Sequence, residues 1–160
     1  MSTIVGKQDR YEDLENTYSH SNLDVHNIPK HIAVIMDGNG RWAEQKNKPR
    51  NFGHKVGVDA LRTTIKLCVE YNIHYLSAYT FSTENWKRPE TEVSFLMNLL
   101  SLMIHKELKE LNDNGVCVKI IGIKKGLPSD VLKAIQLIEG KTQSNTTLQL
   151  NLMINYGSRL

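Results

Sequence analysis

The chain has 160 residues, 40% of them hydrophobic and 23% charged, with a net charge of +3. That length fits one domain, and the balance excludes collagen-like, low-complexity and wholly disordered chains. The charge is too mild to indicate nucleic acid as a partner, and two cysteines, Cys68 and Cys117, are too few for a disulfide scaffold or a four-thiolate site, which suits a reducing compartment.

Residues 1–28 are polar and mixed in charge, and read as a flexible N-terminal arm with a short helix near residues 11–18. Lys7, Asp9, Arg10 and Glu12 break up any signal-peptide reading, and the apolar run at 93–104 is too short to span a bilayer. The expectation is a cytoplasmic protein, with peripheral contact at a membrane surface left open. From residue 29 the pattern alternates. Residues 31–36 (HIAVIM) form a nearly continuous apolar run, as a buried strand does. Val58, Leu61, Ile65, Cys68 and Val69 follow at helical spacing within 54–71. Residues 75–81 read as a second strand. Pro89 opens a long helix that reaches about residue 112, and Asn114-Gly115 ends it. A third strand covers 116–123. A helix follows from Pro128 to about residue 141, with Ser129 as its N-cap, and 147–155 is a fourth strand. The class is therefore α/β, a parallel sheet with flanking helices. Ligands in such folds gather at the carboxyl ends of strands, which singles out the loops 37–53, 81–90 and 155–160.

The first loop carries Asp37, Gly38, Asn39, Gly40, Arg41 and Trp42, then Arg50, Phe52, Gly53 and His54. Between Arg41 and Arg62 stand six basic residues against two acidic ones, a local excess of +4. Glycines that free backbone N–H groups, arginines and a helix start suit a polyanion. Asp37 would then hold Mg²⁺, which takes one or two carboxylates and completes its shell with phosphate oxygens. The same residues also fit turn glycines, solvated arginines and a capping carboxylate. The second loop (Ser82, Thr83, Glu84, Asn85, Trp86, Lys87, Arg88) reads either as a capping turn with Trp86 as a buried anchor, or as a substrate-covering loop.

Taken together, HIAVIMDGNGRWA (31–43), FGHKVG (52–57), AYTFSTENWKRPETEV (78–93) and NYGSR (155–159) closely resemble the cis-prenyltransferases, and among them the bacterial undecaprenyl diphosphate synthases. The resemblance implies condensation of isopentenyl diphosphate onto an allylic diphosphate, usually farnesyl diphosphate, with a new cis double bond, using Mg²⁺ in a homodimer. It implies Asp37 and Asn85 as catalytic residues, with Asp37 also the metal ligand. It implies Gly38, Asn39, Gly40, Arg41, Trp42, Arg50, His54, Ser82, Thr83, Glu84, Trp86 and Arg88 as substrate-binding. Phe52 would sit in the pocket wall, Glu92 matches an acidic family position, and Leu96, Leu100 and Met103 would line a tunnel for the growing chain.

The resemblance also implies a continuation past residue 160. Family members carry there an R-x-S-G-E-x-R-x-S-N motif for isopentenyl diphosphate, a late metal-site glutamate and most of the dimer surface. Residues 29–160 thus read as the N-terminal part of the domain, incomplete at its C-terminus. Ser158 stands where a second glycine is usual, and Ile123 where many relatives have aspartate. One alternative is a catalytically incompetent module that binds a prenyl diphosphate or another subunit. Another is a phosphohydrolase with Asp37 as nucleophile, which Asn39 disfavours by replacing the second carboxylate such chemistry usually needs.

Overall fold

The computed structural model describes residue 24 and residues 26–157. The arm expected over 1–28, with its short helix, lies almost wholly outside the described residues, as do Ser158 and Arg159 of the closing motif. The chain alternates strand and helix: β1 (His31–Ile35), α1 (Asn39–Gln45), α2 (Arg50–Glu70), β2 (Tyr75–Ser82), a 3-10 turn (Thr83–Lys87), α3 (Glu90–Asp113), β3 (Val116–Ile121), α4 (Ser129–Thr142) and β4 (Leu148–Tyr156). All pairings are parallel, in the order β1-β2-β4-β3. The α/β parallel sheet with flanking helices expected from the pattern is the observed architecture.

The core follows from the two periodicities. Along β4, Leu148, Leu150, Leu152 and Ile154 alternate into it, beside Leu76 and Ala78 of β2 and Val116 and Val118 of β3. Val93, Met97 and Ile104 of α3 and Val131, Ile135 and Ile138 of α4 close over them at helical spacing. Each fully buried side chain such as Leu76 contributes about 1.5–3 kcal/mol. Residues of β1, β2 and β4 form a polar chain instead. His31 Nε2 lies 2.8 Å from Ser77 Oγ, Asn151 Nδ2 donates to Ser77 Oγ, and Gln149 Nε2 donates to Asn151 Oδ1.

The outer edge of β3 is finished by side chains of α4. Thr142 Oγ1 accepts the Val118 N–H at 3.0 Å, and Glu139 Oε1 accepts the Ile120 N–H at 2.9 Å. Glu139 also takes Lys124 Nζ at 2.9 Å.

Several boundaries differ from expectation. The segment 37–53 is mostly helix: α1 occupies its first half, and α2 starts at Arg50. Pro49 takes the N-cap position of α2 with an extended backbone, so the helix begins a turn before His54. Ser129 is not the N-cap of α4. Pro128 holds that position, and Ser129 is already helical with no side-chain capping bond. β3 stops at Ile121, because Gly122 turns away at φ 138°.

Candidate active site

The carboxyl ends of β1 and β2 open onto a cavity of about 780 Å³. Its mouth holds Asp37, Gly38, Asn39, Gly40, Arg41, Arg50, His54, Ser82, Glu84, Asn85 and Arg88. Its body is apolar, bounded by Val58, Leu61 and Ile65 of α2 and Leu96, Leu100 and Met103 of α3. The tunnel-wall residues expected on α3 therefore face this space.

Asp37 stands just beyond β1. Its Oδ1 accepts the Gly38 N–H at 2.6 Å, and its Oδ2 pairs with Arg41 Nη2 at 2.9 Å. The Gly38 bond, then the Arg41 charge, hold its carboxyl below the usual range, so it is ionised at neutral pH. Gly38 takes φ 84° as N-cap of α1, a conformation costly for residues with a Cβ. Helix α1 starts at Asn39, so the leading amides at Asn39, Gly40 and Arg41 lack acceptors inside the helix.

A second polar group lies deeper. Glu92, in the first turn of α3, is buried and accepts three bonds. His54 Nε2 donates at 3.1 Å, Arg50 Nε at 3.2 Å and Arg88 Nη1 at 3.2 Å. Burial pushes the Glu92 carboxyl up, but the bonds from His54 and Arg50 and the charges of Arg50 and Arg88 outweigh it and hold the group low. Arg50 also reaches Glu44 Oε1 at 3.1 Å, tying α1 to α2. At the far side of the cavity Arg62 joins α2 to α3 through both Glu107 oxygens, at 3.0 and 2.6 Å.

Two helical glycines make this arrangement possible, and sequence reasoning gave them no role. A Cβ on Gly53 would stand 1.9 Å from the Asn39 carbonyl oxygen, and one on Gly57 would stand 2.6 Å from Asn39 Nδ2. Their spacing of one helical turn was the available sign of a close-packed helix face. Gly40 sits inside α1 and leaves room for Arg50, whose Cζ would lie 2.7 Å from a Cβ there.

Not every expected residue meets the cavity. Trp42 stacks on Phe52, with ring centroids 6.1 Å apart, and is not part of the lining. Thr83 and Trp86 are also outside it. Trp86 packs edge-on against Phe81 and donates its Nε1–H to Asn155 Oδ1 at 2.8 Å. It is an anchor, though a half-exposed rather than a buried one. Asn85 Oδ1 accepts the Ser82 N–H at 3.1 Å, which folds the turn back on the strand it leaves.

The donor set bears on which cation fits. Among the described residues no three His, Cys, Asp or Glu side chains come together to hold a metal ion. At the mouth Asp37 offers an exposed, ionised carboxylate, and Glu84 is a second exposed carboxylate. Such a site suits a hard ion that completes its shell with phosphate oxygens and water, and does not suit an all-protein cage.

A family model described as "Putative undecaprenyl diphosphate synthase" matches residues 35–160. The isoprenyl transferase of Heliobacterium mobile is 49% identical over 137 residues, which cover 86% of this chain and 53% of that protein. The ditrans,polycis-undecaprenyl-diphosphate synthase of Haemophilus influenzae, designated (2E,6E)-farnesyl-diphosphate specific, is 47% identical over 135 residues, covering 84% and 56%. Among solved structures, lavandulyl diphosphate synthase from Lavandula x intermedia, in complex with dimethylallyl diphosphate, superposes with a TM-score of 0.78 at 30% identity, covering 82% of this chain and 56% of that one. A probable undecaprenyl diphosphate synthase from Campylobacter jejuni superposes with a TM-score of 0.68 at 37% identity, covering 83% and 57%. The chain spans about half the length of the curated relatives it matches.

Proposed function

Since the chain belongs to the undecaprenyl diphosphate synthase family of prenyltransferases, we propose that it supplies the allylic-diphosphate half of a cis-prenyl transfer site. The reaction is condensation of isopentenyl diphosphate onto an allylic diphosphate, farnesyl diphosphate by preference, with a new cis double bond. The observation that carries this reading is the joining of a cationic mouth to a long apolar cavity in one continuous space.

The mouth matches a diphosphate. Arg41, Arg50 and Arg88 offer guanidinium donors, and charge-assisted bonds to phosphate oxygens are worth about 1.5–3 kcal/mol each. The leading amides of α1 add neutral donors. Together they stabilise the negative charge that accumulates on the departing diphosphate as the allylic C–O bond breaks. Asn85 borders the same space from the turn after β2, beside the reacting carbon in this reading. Bound at Asp37, Mg²⁺ would neutralise diphosphate charge as a Lewis acid. Arg41 pairs with Asp37 in the resting arrangement, so the ligand exchanges one partner for another rather than entering an empty field. The apolar body receives the hydrocarbon, gaining about 0.8 kcal/mol per buried CH₂.

The same reading carries a homodimer, a cytoplasmic location and peripheral membrane contact, through which a lipid product would leave. Residues 29–160 are then the diphosphate-binding part of the domain. No helix among the described residues is long and apolar enough to cross a membrane.

Calorimetry with a farnesyl thiodiphosphate analogue and Mg²⁺ tests the half-site directly. Saturable binding is expected, weakened roughly tenfold or more in Arg41→Ala by loss of one charge-assisted contact. A flat titration with the unaltered chain overturns the reading. Extension of farnesyl diphosphate by labelled isopentenyl diphosphate then separates a working enzyme from a module that only binds.

A further inference from the structure

Asn155 is the first residue of the closing NYGSR segment, and the site described above gives it no role. It lies near the end of β4, buried, with a left-handed backbone at φ 52°. Both polar atoms of its side chain are engaged. Oδ1 accepts the Trp86 Nε1–H at 2.8 Å, and Nδ2 donates to the carbonyl oxygens of Ile123 at 2.8 Å and Lys125 at 3.4 Å. The Asn155 carbonyl in turn accepts the Ile123 N–H at 3.1 Å. One side chain therefore ties β4 to the 3-10 turn on one side and to the β3–α4 connection on the other.

The backbone explains only part of this. A positive φ favours Asn over most residues, but Gly adopts it more freely. What Gly cannot supply is the amide that holds the indole. Trp86 sits between Asn85 and Arg88, which line the cavity mouth, while Trp86 itself does not. The Arg88 N–H bonds to the Asn85 carbonyl at 3.1 Å, so the two flanking residues move as one turn. We propose that Asn155 is a positioning residue that fixes this turn through the Trp86 indole and so presents Asn85 and Arg88 to the mouth of the cavity. The choice of ligand rests on the prenyl-transfer reading, whereas the latch itself does not.

The sequence contains two tryptophans, Trp42 and Trp86. In a Trp42→Phe parent the Trp86 indole N–H is the single such signal in a ¹⁵N spectrum, and its exchange with water reads the latch directly. Asn155→Gly keeps the left-handed backbone and removes the acceptor, so exchange should accelerate by roughly fivefold or more, as expected for one lost neutral hydrogen bond. Affinity for the farnesyl thiodiphosphate analogue should fall by a similar factor. Trp86→Phe leaves Asn155 intact and removes the N–H along with part of the ring, and should weaken binding comparably. The double variant should be no weaker than either single one, because both break the same link. Equal indole exchange in Asn155→Gly and its parent overturns the proposal, as do fully additive losses in the double variant. Should Asn155→Gly fail to fold, unchanged affinity in Trp86→Phe overturns it. An unaltered chain that does not bind the analogue defeats the prenyl-transfer reading instead, and the exchange comparison still decides the latch.

Discussion

Two acidic residues hold the basic side chains of the same cavity mouth in opposite ways. Asp37 is 70% exposed and its partner Arg41 68% exposed, one turn apart along a single segment. Glu92 is about 10% exposed, and its three partners come from α2 and from the linker before α3. An exposed ion pair contributes little to stability and exchanges partners readily. A buried carboxylate with three donors is costly to disturb, because removing it leaves two guanidinium groups and an imidazole crowded together without their common acceptor. The mouth thus combines a rigid inner frame with a replaceable outer contact. Ligand binding at Asp37 and Arg41 need not disturb α2 and α3, which Glu92 holds together.

Breaking the inner frame should give the largest effect. Glu92→Ala strands Arg50, His54 and Arg88, and is expected to destabilise the fold by roughly 3 kcal/mol or more, read from the urea unfolding midpoint at constant slope. A loss near zero would mean that water and Glu44 already satisfy these donors, and the contrast with Asp37 would vanish.

Acid sharpens the comparison at intermediate scale. The Glu92 carboxyl is held below its ordinary value of 4.5 in the folded chain. A depressed folded value contributes stability that is fully present above the unfolded value and is lost as pH falls through the folded one. Unfolding free energy should therefore decline below about pH 4.5, and decline less steeply in Glu92→Gln. Glu107 and Glu139, also held low, keep some acid dependence in that variant. Identical slopes in the two proteins would show that Glu92 does not drive the acid limb.

The smallest effect belongs to the outer contact. Asp37→Asn should leave the unfolding midpoint where it is, while the Mg²⁺-dependent part of analogue binding disappears in the same calorimetric titration. A shifted midpoint would make Asp37 part of the frame after all.

The sequence was most legible where apolar residues repeat. The strands and the three long helices follow from periods of two and of about 3.6, and the parallel order from their alternation. Helix α1 was not legible, because its seven residues bury only Gly40 and Ala43 and so show no apolar stripe. The start of α2 was signalled by Pro49, but the glycine and basic residues around it read as loop. Asp37 and Arg41 could be paired from their spacing in the chain. Glu92 could not be seen as a centre, since Arg50 and His54 lie about forty positions away and reach it only through the fold. Its one local sign was Arg88, four residues earlier. Asn155 was visible as part of a motif, but no pattern in the chain links it to Trp86.

The α4 side chains along β3 have a consequence for how this sheet meets other chains. Parallel strands leave alternate N–H groups pointing outward at an edge, ready to template a foreign strand. On β3 those of Val118 and Ile120 are already taken by Thr142 and Glu139. A newcomer must first displace a hydroxyl and a carboxylate, the latter also bound by Lys124. The two borders of the sheet are therefore unequal: β3 resists adhesion by its own chemistry, whereas β1 has one neighbour, β2, among the described residues. Self-association through backbone pairing should start at β1, and a charged residue or proline introduced there is where resistance to aggregation would be gained.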